Sequence, residues 1–232
     1  MITLYGFGQN LGLADPSPFV LKVHTFMRIA GIEYETVANM NNLQKAPKNK
    51  LPYIDDNGTI VADSTFIVKY LKEKYSPTMD EHVSQEQQAF AFLISKALEE
   101  NLYWCLIYSR WLREDTWPTI KQAFFSKMPF PLKHIIPYVA RKDLRAALHK
   151  QGIGRHSDEE ILEITKETYK SMSVLLGDKT FFFGDKPCSF DATVFAFLAS
   201  AIVVELDNPF TQVARSYPNL VNYCENIINQ YY

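Results

Sequence analysis

The chain has 232 residues, 47% of them hydrophobic, enough for one large core or two smaller ones without covalent staples. A formal net charge of -2 argues against nucleic acid as a main partner, because phosphate binding needs a concentrated basic face. Cys105, Cys188 and Cys224 are odd in number and widely spaced, so no disulfide framework or metal motif emerges and a reducing cytoplasm is expected.

Ile2-Thr3-Leu4-Tyr5 reads as a first strand, ended by Gly6-Phe7-Gly8 and a polar loop to Pro16. No basic region followed by an apolar run stands at this end, so no signal peptide is expected. Ser17-Pro18 opens a helix, with serine as N-cap and proline at the first helical position. Val20, Val23, Phe26 and Met27 recur at helical spacing, and Gly31 suits its end. Residues 32–37 alternate as a second strand. After a Lys/Asn-rich connection, residues 52–55 and 59–61 form a hairpin through Asn57-Gly58. Pro52, at the mouth of this strand, removes a ladder donor and leaves backbone near Leu51 available to an extended peptide. Asp63-Ser64 then opens a helix carrying Phe66, Ile67, Tyr70 and Leu71. Together these segments suggest a site that holds a small anionic peptide by its backbone and its carboxylate.

Strand signals fade at Ser76-Pro77, which places a domain boundary at 76–83 and divides the chain into 1–76 and 83–232. A helix is expected from about Ser84 to Leu112. One apolar face carries Leu102, Cys105, Leu106 and Leu112, the other Trp104, Tyr108 and Trp111 at i, i+4, i+7. The following stretch, with Pro118, Pro129, Pro131 and Pro137, shows poor periodicity. Gly152 to His156 reads as an anion site or, preferred, a loop leading to a helix capped by Ser157 or Asp158. The apolar run from Ala192 to Val204 is too short for a bilayer and reads as a buried core helix. The histidines share no ligand spacing, so no metal is expected.

Ser17-Pro18-Phe19-Val20, Lys50-Leu51-Pro52, Asp63-Ser64 and the stretch Gly184 to Asp191 resemble the glutathione transferase family. In finer detail, Leu102 to Trp111, Gly152 to His156 and Leu176 to Lys179 resemble its metaxin-like branch, which includes the failed-axon-connections proteins. The resemblance covers nearly the whole chain. It implies a thioredoxin-like α/β N-terminal domain followed by an all-α C-terminal domain, glutathione as co-substrate and a homodimer.

Residue by residue, the resemblance puts Ser17 and Val20 where redox relatives carry two cysteines, which excludes dithiol chemistry. Ser17 is then a donor to the glutathione thiolate, or only a helix cap. One charge-assisted hydrogen bond of about 1.5–3 kcal/mol plus about 0.3–1 from the helix dipole matches the roughly 2.7 kcal/mol needed to lower a thiol pKa by about two units. Leu51 and Pro52, the latter cis, would hold the cysteinyl backbone. Lys50 would approach the glycyl carboxylate or be merely solvated, and Asp63 with Ser64 would bind the γ-glutamyl end. Phe7, Tyr103, Tyr108 and Trp111 are candidates for a second pocket holding a hydrophobic electrophile, although an aromatic stripe is more often core. Cys188 stands at the usual cap position of the second domain's motif, making that cap weaker or shifted by one residue, with Asp191 structural. The alternative function is a non-catalytic interaction module, with the surface supplied by the segment from about Trp117 to Arg155.

Overall fold

The computed structural model describes residues 1–232. Ile2 and Leu4 point into the core from β1 (Ile2–Gly6), a central strand of a four-stranded sheet ordered β2-β1-β3-β4. β2 (Tyr34–Ala38) lies parallel to β1 at one edge, reached through the crossover helix α1 (Pro18–Ile29). β3 (Tyr53–Asp56) and β4 (Thr59–Ala62) are antiparallel. They turn at Asn57 and Gly58, whose φ values of 52° and 92° give the double left-handed turn that matches strand twist. The Lys/Asn-rich connection contains a short helix, α2 (Asn42–Lys45). Its buried Asn42 donates to the carbonyls of Gly6 (3.0 Å) and Val37 (2.7 Å), which pins the connection to the sheet.

Val20, Val23, Phe26 and Met27 of α1 pack on the sheet, joined by Ile67 and Leu71 of α3 (Ser64–Tyr75). Phe66 departs from the expected apolar stripe and is 56% exposed. Leu21, on another side of α1, belongs to a second and larger core built from the helices that follow.

Ser84 caps α4 (Gln85–Ala97) with a reciprocal bond from Gln87, the capping-box arrangement. The expected helix from Ser84 to Leu112 has the right span but not a regular course. Five residues of π-helix (Leu98–Leu102) precede α5 (Tyr103–Ile107), and five more (Tyr108–Leu112) follow it. The poorly periodic middle forms α6 (Trp117–Phe125) and α7 (Leu132–Gln151). Pro118 lies in the first turn of α6 and Pro131 is the N-cap of α7, positions where a missing N–H costs nothing.

Gly154 has room for no side chain, since a Cβ would lie 2.8 Å from the Leu148 carbonyl carbon and the His149 nitrogen. Arg155 Nε donates to the His149 carbonyl at 2.9 Å. Residues 152–156 therefore lock the end of α7 to α8 (Asp158–Leu176), which Ser157 and Glu160 cap reciprocally. Every residue from Phe190 to Ile202 in α9 (Ser189–Ile202) is buried, and α10 (Pro209–Arg215) and α11 (Pro218–Tyr231) complete the layer around it. Cys188 is itself the N-cap residue, so the cap is not shifted. The Asp191 carboxylate accepts from the N–H groups of Cys188 (2.9 Å) and Phe182 (3.1 Å) and from the Tyr223 hydroxyl (3.1 Å). Burial pushes the Asp191 carboxyl upward in pKa. α1 packs along α9, and this contact joins the two halves of the molecule.

Candidate functional site

Three chain segments converge at one end of the sheet. Tyr5 pairs with Tyr53 in an antiparallel register, so Pro52 follows on beside Gly6, the last residue of β1. The Asp63 N–H donates to the Pro52 carbonyl at 3.3 Å, which draws Asp63-Ser64 against Leu51-Pro52. The loop after β1 starts from this same end and delivers Ser17 to the N-terminus of α1. Gly6 is required here: a Cβ would come within 2.6 Å of Asp15 Oδ2 and 2.8 Å of Val20 Cγ1.

The Leu51–Pro52 peptide bond is cis. Leu51 is buried, yet neither its N–H nor its carbonyl finds a hydrogen-bond partner within the chain. Asp63 adopts φ 83° and ψ 129° as N-cap of α3, and its carboxylate accepts from the Thr65 N–H at 2.9 Å. Ser64 is 4% exposed and makes no side-chain hydrogen bond within the chain. A nearly buried hydroxyl is normally satisfied, so this one is available to a ligand. Lys50 is exposed and unpaired, while nearby Lys48 sits 4.6 Å above the Phe66 ring. Ser17 caps α1 loosely, its Oγ 3.5 Å from the Val20 nitrogen, at the outer limit of a hydrogen bond. Its hydroxyl proton is not engaged elsewhere in the chain.

The four aromatic candidates have different ring neighbours. Tyr103 packs edge-on against Phe19, two residues beyond Ser17, at 4.9 Å. Tyr108 instead lies 6.0 Å from Phe210 of α10, and Trp111 joins Phe124 (5.2 Å), Trp117 (6.2 Å) and Phe125 (6.1 Å). Phe7 is half-buried against the sheet core. Tyr103 and Tyr108 already differ by about 140° around a regular helix, and the π-helical turn over Tyr108–Leu112 shifts Trp111 further from the spacing of such a helix.

Two family models match the chain. The glutathione S-transferase N-terminal domain matches residues 18–116 and the glutathione S-transferase C-terminal domain matches residues 165–227. An isoprene-epoxide–glutathione S-transferase from Rhodococcus sp. (strain AD45) is 34% identical over all of this chain and 99% of its own length. The chain belongs to the glutathione S-transferase family. It is also 32% identical to Failed axon connections of Drosophila melanogaster, over 96% of this chain but 56% of that protein, and 30% identical to mouse Metaxin-1 over 99% of this chain and 74% of that one. The family's metaxin-like branch is thereby represented among its relatives. A transferase from Ceriporiopsis subvermispora solved in complex with glutathione shares the fold, with a TM-score of 0.70 at 17% identity, covering 99% of this chain and 96% of that one.

One polar residue at this transferase-family site escaped the sequence reading. Asp15 is fully buried and accepts from three backbone N–H groups: Phe7 (2.8 Å) and Gly8 (2.9 Å) on Oδ2, and Ser17 (2.9 Å) on Oδ1. Burial pushes its carboxyl up to about 7, against the opposing pull of the Ser17, Gly8 and Phe7 amides. The available signal was the Asp-Pro-Ser-Pro run itself, an acid two residues ahead of a helix cap.

The sign of the resulting pH effect follows directly. The folded state keeps this proton to about pH 7, whereas an unfolded aspartate releases it near 3.9. The folded state therefore binds more protons in that window, and Asp15's contribution to stability declines as pH rises through it. In urea titrations, the stability of wild type relative to Asp15→Asn should fall between about pH 4 and 7 and level off above. A difference that rises with pH over that range would contradict the assignment.

Proposed function

We propose that this chain is a glutathione transferase in which the Ser17 hydroxyl stabilises the glutathione thiolate for attack on a small apolar electrophile. The observation that carries the reading is the unpaired backbone of Leu51 beside the unpartnered Ser64 hydroxyl, a donor, an acceptor and a hydroxyl arranged for an extended peptide. In this reading Leu51 and Pro52 hold the cysteinyl unit, Ser64 and the start of α3 receive the γ-glutamyl carboxylate, Asp63 favours its ammonium group, and Lys50 approaches the glycyl end. The name of the Rhodococcus relative makes epoxides the first electrophiles to offer. The three cysteines are all free and buried, in keeping with a cytoplasmic location.

Calorimetric titration of glutathione into wild type and Ser64→Ala tests the reading. Saturable binding, weakened about tenfold by the substitution (about 1.4 kcal/mol), is the expected outcome. Absence of binding at millimolar glutathione would remove it.

The homodimer belongs to the same proposal. A groove of about 440 Å³ separates α3 from α4, lined by Thr65, Val68, Lys72 and Phe92 among others. Phe66, Phe92 and Leu93 stand out from these helices 56%, 60% and 66% exposed. Phe92→Glu should convert a sedimenting dimer to monomers that keep the helical content of wild type, because the side chain contributes little to either core. A wild-type monomer at micromolar concentration would end the dimer proposal.

A second reading, the interaction module, draws on α7. Its outward side exposes Ile135 (53%), Tyr138 (72%) and Val139 (46%), with Phe130 (80%) just before the helix. Lys133, Lys142 and Arg145 accompany them against a single acid, Asp143, so an acidic partner protein suits this face. Under this reading Tyr138→Asp abolishes partner binding, whereas under the transferase reading it leaves glutathione affinity and turnover intact.

A further inference from the structure

Arg110 is an unusual charge. It sits in the second π-helical turn, 5% exposed, with no carboxylate in ion-pair contact. Its Nη1 donates to the Pro16 carbonyl at 2.7 Å and its Nη2 to the Ser200 carbonyl at 2.6 Å, while Nε is buried without a partner. A buried guanidinium held only by carbonyls is expensive, and desolvation draws its pKa down to about 10. An apolar side chain would fill the space more cheaply. The turn carrying it is itself braced, because the buried Thr116 hydroxyl lies 2.8 Å from the Ser109 carbonyl and 3.1 Å from the Arg110 carbonyl.

The carbonyl that Arg110 grips belongs to the peptide group whose N–H enters Ser17. That N–H is the one donated to Asp15. A trans peptide points its C=O and N–H in opposite directions. Arg110, from the helical half, and Asp15, from the loop after β1, therefore seize the same planar unit from its two sides. Asp15 is fixed in turn by the amides of Phe7 and Gly8, and Arg110 by Ser200 of α9. One anchor thus belongs to the loop that leaves β1 and the other to the helical half of the molecule.

We propose that Asp15 and Arg110 are positioning residues that clamp the Pro16–Ser17 peptide group between the two halves of the molecule, fixing the backbone from which the Ser17 hydroxyl projects. The role for the hydroxyl rests on the transferase reading; the clamp itself does not. Neither residue touches the ligand. Their effect reaches it through the direction of one hydroxyl, where small displacements weaken a charge-assisted hydrogen bond steeply.

Two readouts on the full-length protein test this, one of them independent of glutathione. Amide hydrogen exchange is followed by NMR in ligand-free wild type, Asp15→Asn, Arg110→Met and Arg110→Lys, with the Ile54 amide of β3 as reference. Asp15→Asn turns an NH2 group toward the Ser17 N–H, and Arg110→Met frees the Pro16 carbonyl. Each should speed Ser17 exchange about tenfold over the reference. Arg110→Lys, which keeps the charge and reaches one carbonyl, should fall between. In parallel, the thiol of bound glutathione is titrated by its thiolate absorbance. Its midpoint should rise by about one unit in Asp15→Asn and Arg110→Met, with the glutathione dissociation constant unchanged at acid pH, where the bound thiol is protonated in every variant.

Ser17 exchange that stays at the wild-type rate in both variants overturns the clamp. A thiol midpoint that does not move, in variants that bind glutathione normally, overturns its action on the hydroxyl. If wild type binds no glutathione, the transferase reading fails and the exchange rates alone decide the clamp. Should Asp15→Asn not fold, the two Arg110 variants carry the test from the other half of the chain.

Discussion

Replacing Glu99 by alanine should destabilise the protein by about 3–5 kcal/mol, measured as a lower urea midpoint at unchanged slope. Glu99 lies in the first π-helical turn and is 4% exposed. Its Oε1 accepts from Lys22 Nζ of α1 at 2.7 Å and its Oε2 from Lys96 Nζ of α4 at 2.7 Å. Lys96 is open to solvent and would be rehydrated when the carboxylate is lost. Lys22 would not, since only 7% of its side chain is exposed. Burial already lowers the Lys22 pKa even though Glu99 opposes the shift. Without Glu99, Lys22 becomes an uncompensated buried cation or gives up its proton, and either outcome weakens the seam between α1 and the helical half. Lys22→Met added to Glu99→Ala should recover most of the loss, because an apolar pair of similar volume needs no partner. A single-variant loss under about 1 kcal/mol, the range of an exposed pair, would show that water reaches this triad freely.

What could be read from the sequence, and what could not, divides along local against tertiary causes. Ser17, Asp63 and Ser157 were legible as caps because a cap is made by residues within one turn of each other. Asn57-Gly58 was legible for the same reason, since the turn's backbone conformation is dictated by its own two residues. The run in α9 was legible because a helix apolar on all sides has nowhere to go but the interior. Four of the proposed glutathione-binding residues, Leu51, Pro52, Asp63 and Ser64, came together as expected because the hairpin returns the chain to its starting end. The irregular course of the helix from Ser84 to Leu112 was not legible because π-helical turns leave no local signature, and two of them lie between Leu98 and Leu112. The bounds of α6 and α7 were not legible because the stretch is poorly periodic, although Pro118 and Pro131 stand at their starts. Asp15 left only the Asp-Pro-Ser-Pro run as a signal, because its burial and its amide partners exist only after the loop closes over β1.

Ser17→Ala separates a helix cap from a thiolate donor. As a cap, Ser17 is weak, with Oγ 3.5 Å from the Val20 nitrogen. Its loss should cost no more than about 1 kcal/mol of stability. As a donor it matters far more. A free thiol of this kind titrates near 8.5, and a shift of about two units downward makes it largely ionised at neutral pH. Without that shift only a few per cent of bound glutathione is thiolate, so conjugation at pH 6.5 should fall by up to about 10²-fold, with KM for glutathione little changed. The loss should shrink as pH rises, because hydroxide then supplies the ionisation that Ser17 no longer favours. Near pH 9 the two enzymes should approach each other within a few-fold. The shape of the profile carries the argument: a misfolded site loses rate at every pH, whereas a missing thiolate donor loses it mainly on the acid side. A pH-independent deficit, or none, would return Ser17 to the status of a cap and leave thiolate stabilisation to the backbone amides at the start of α1.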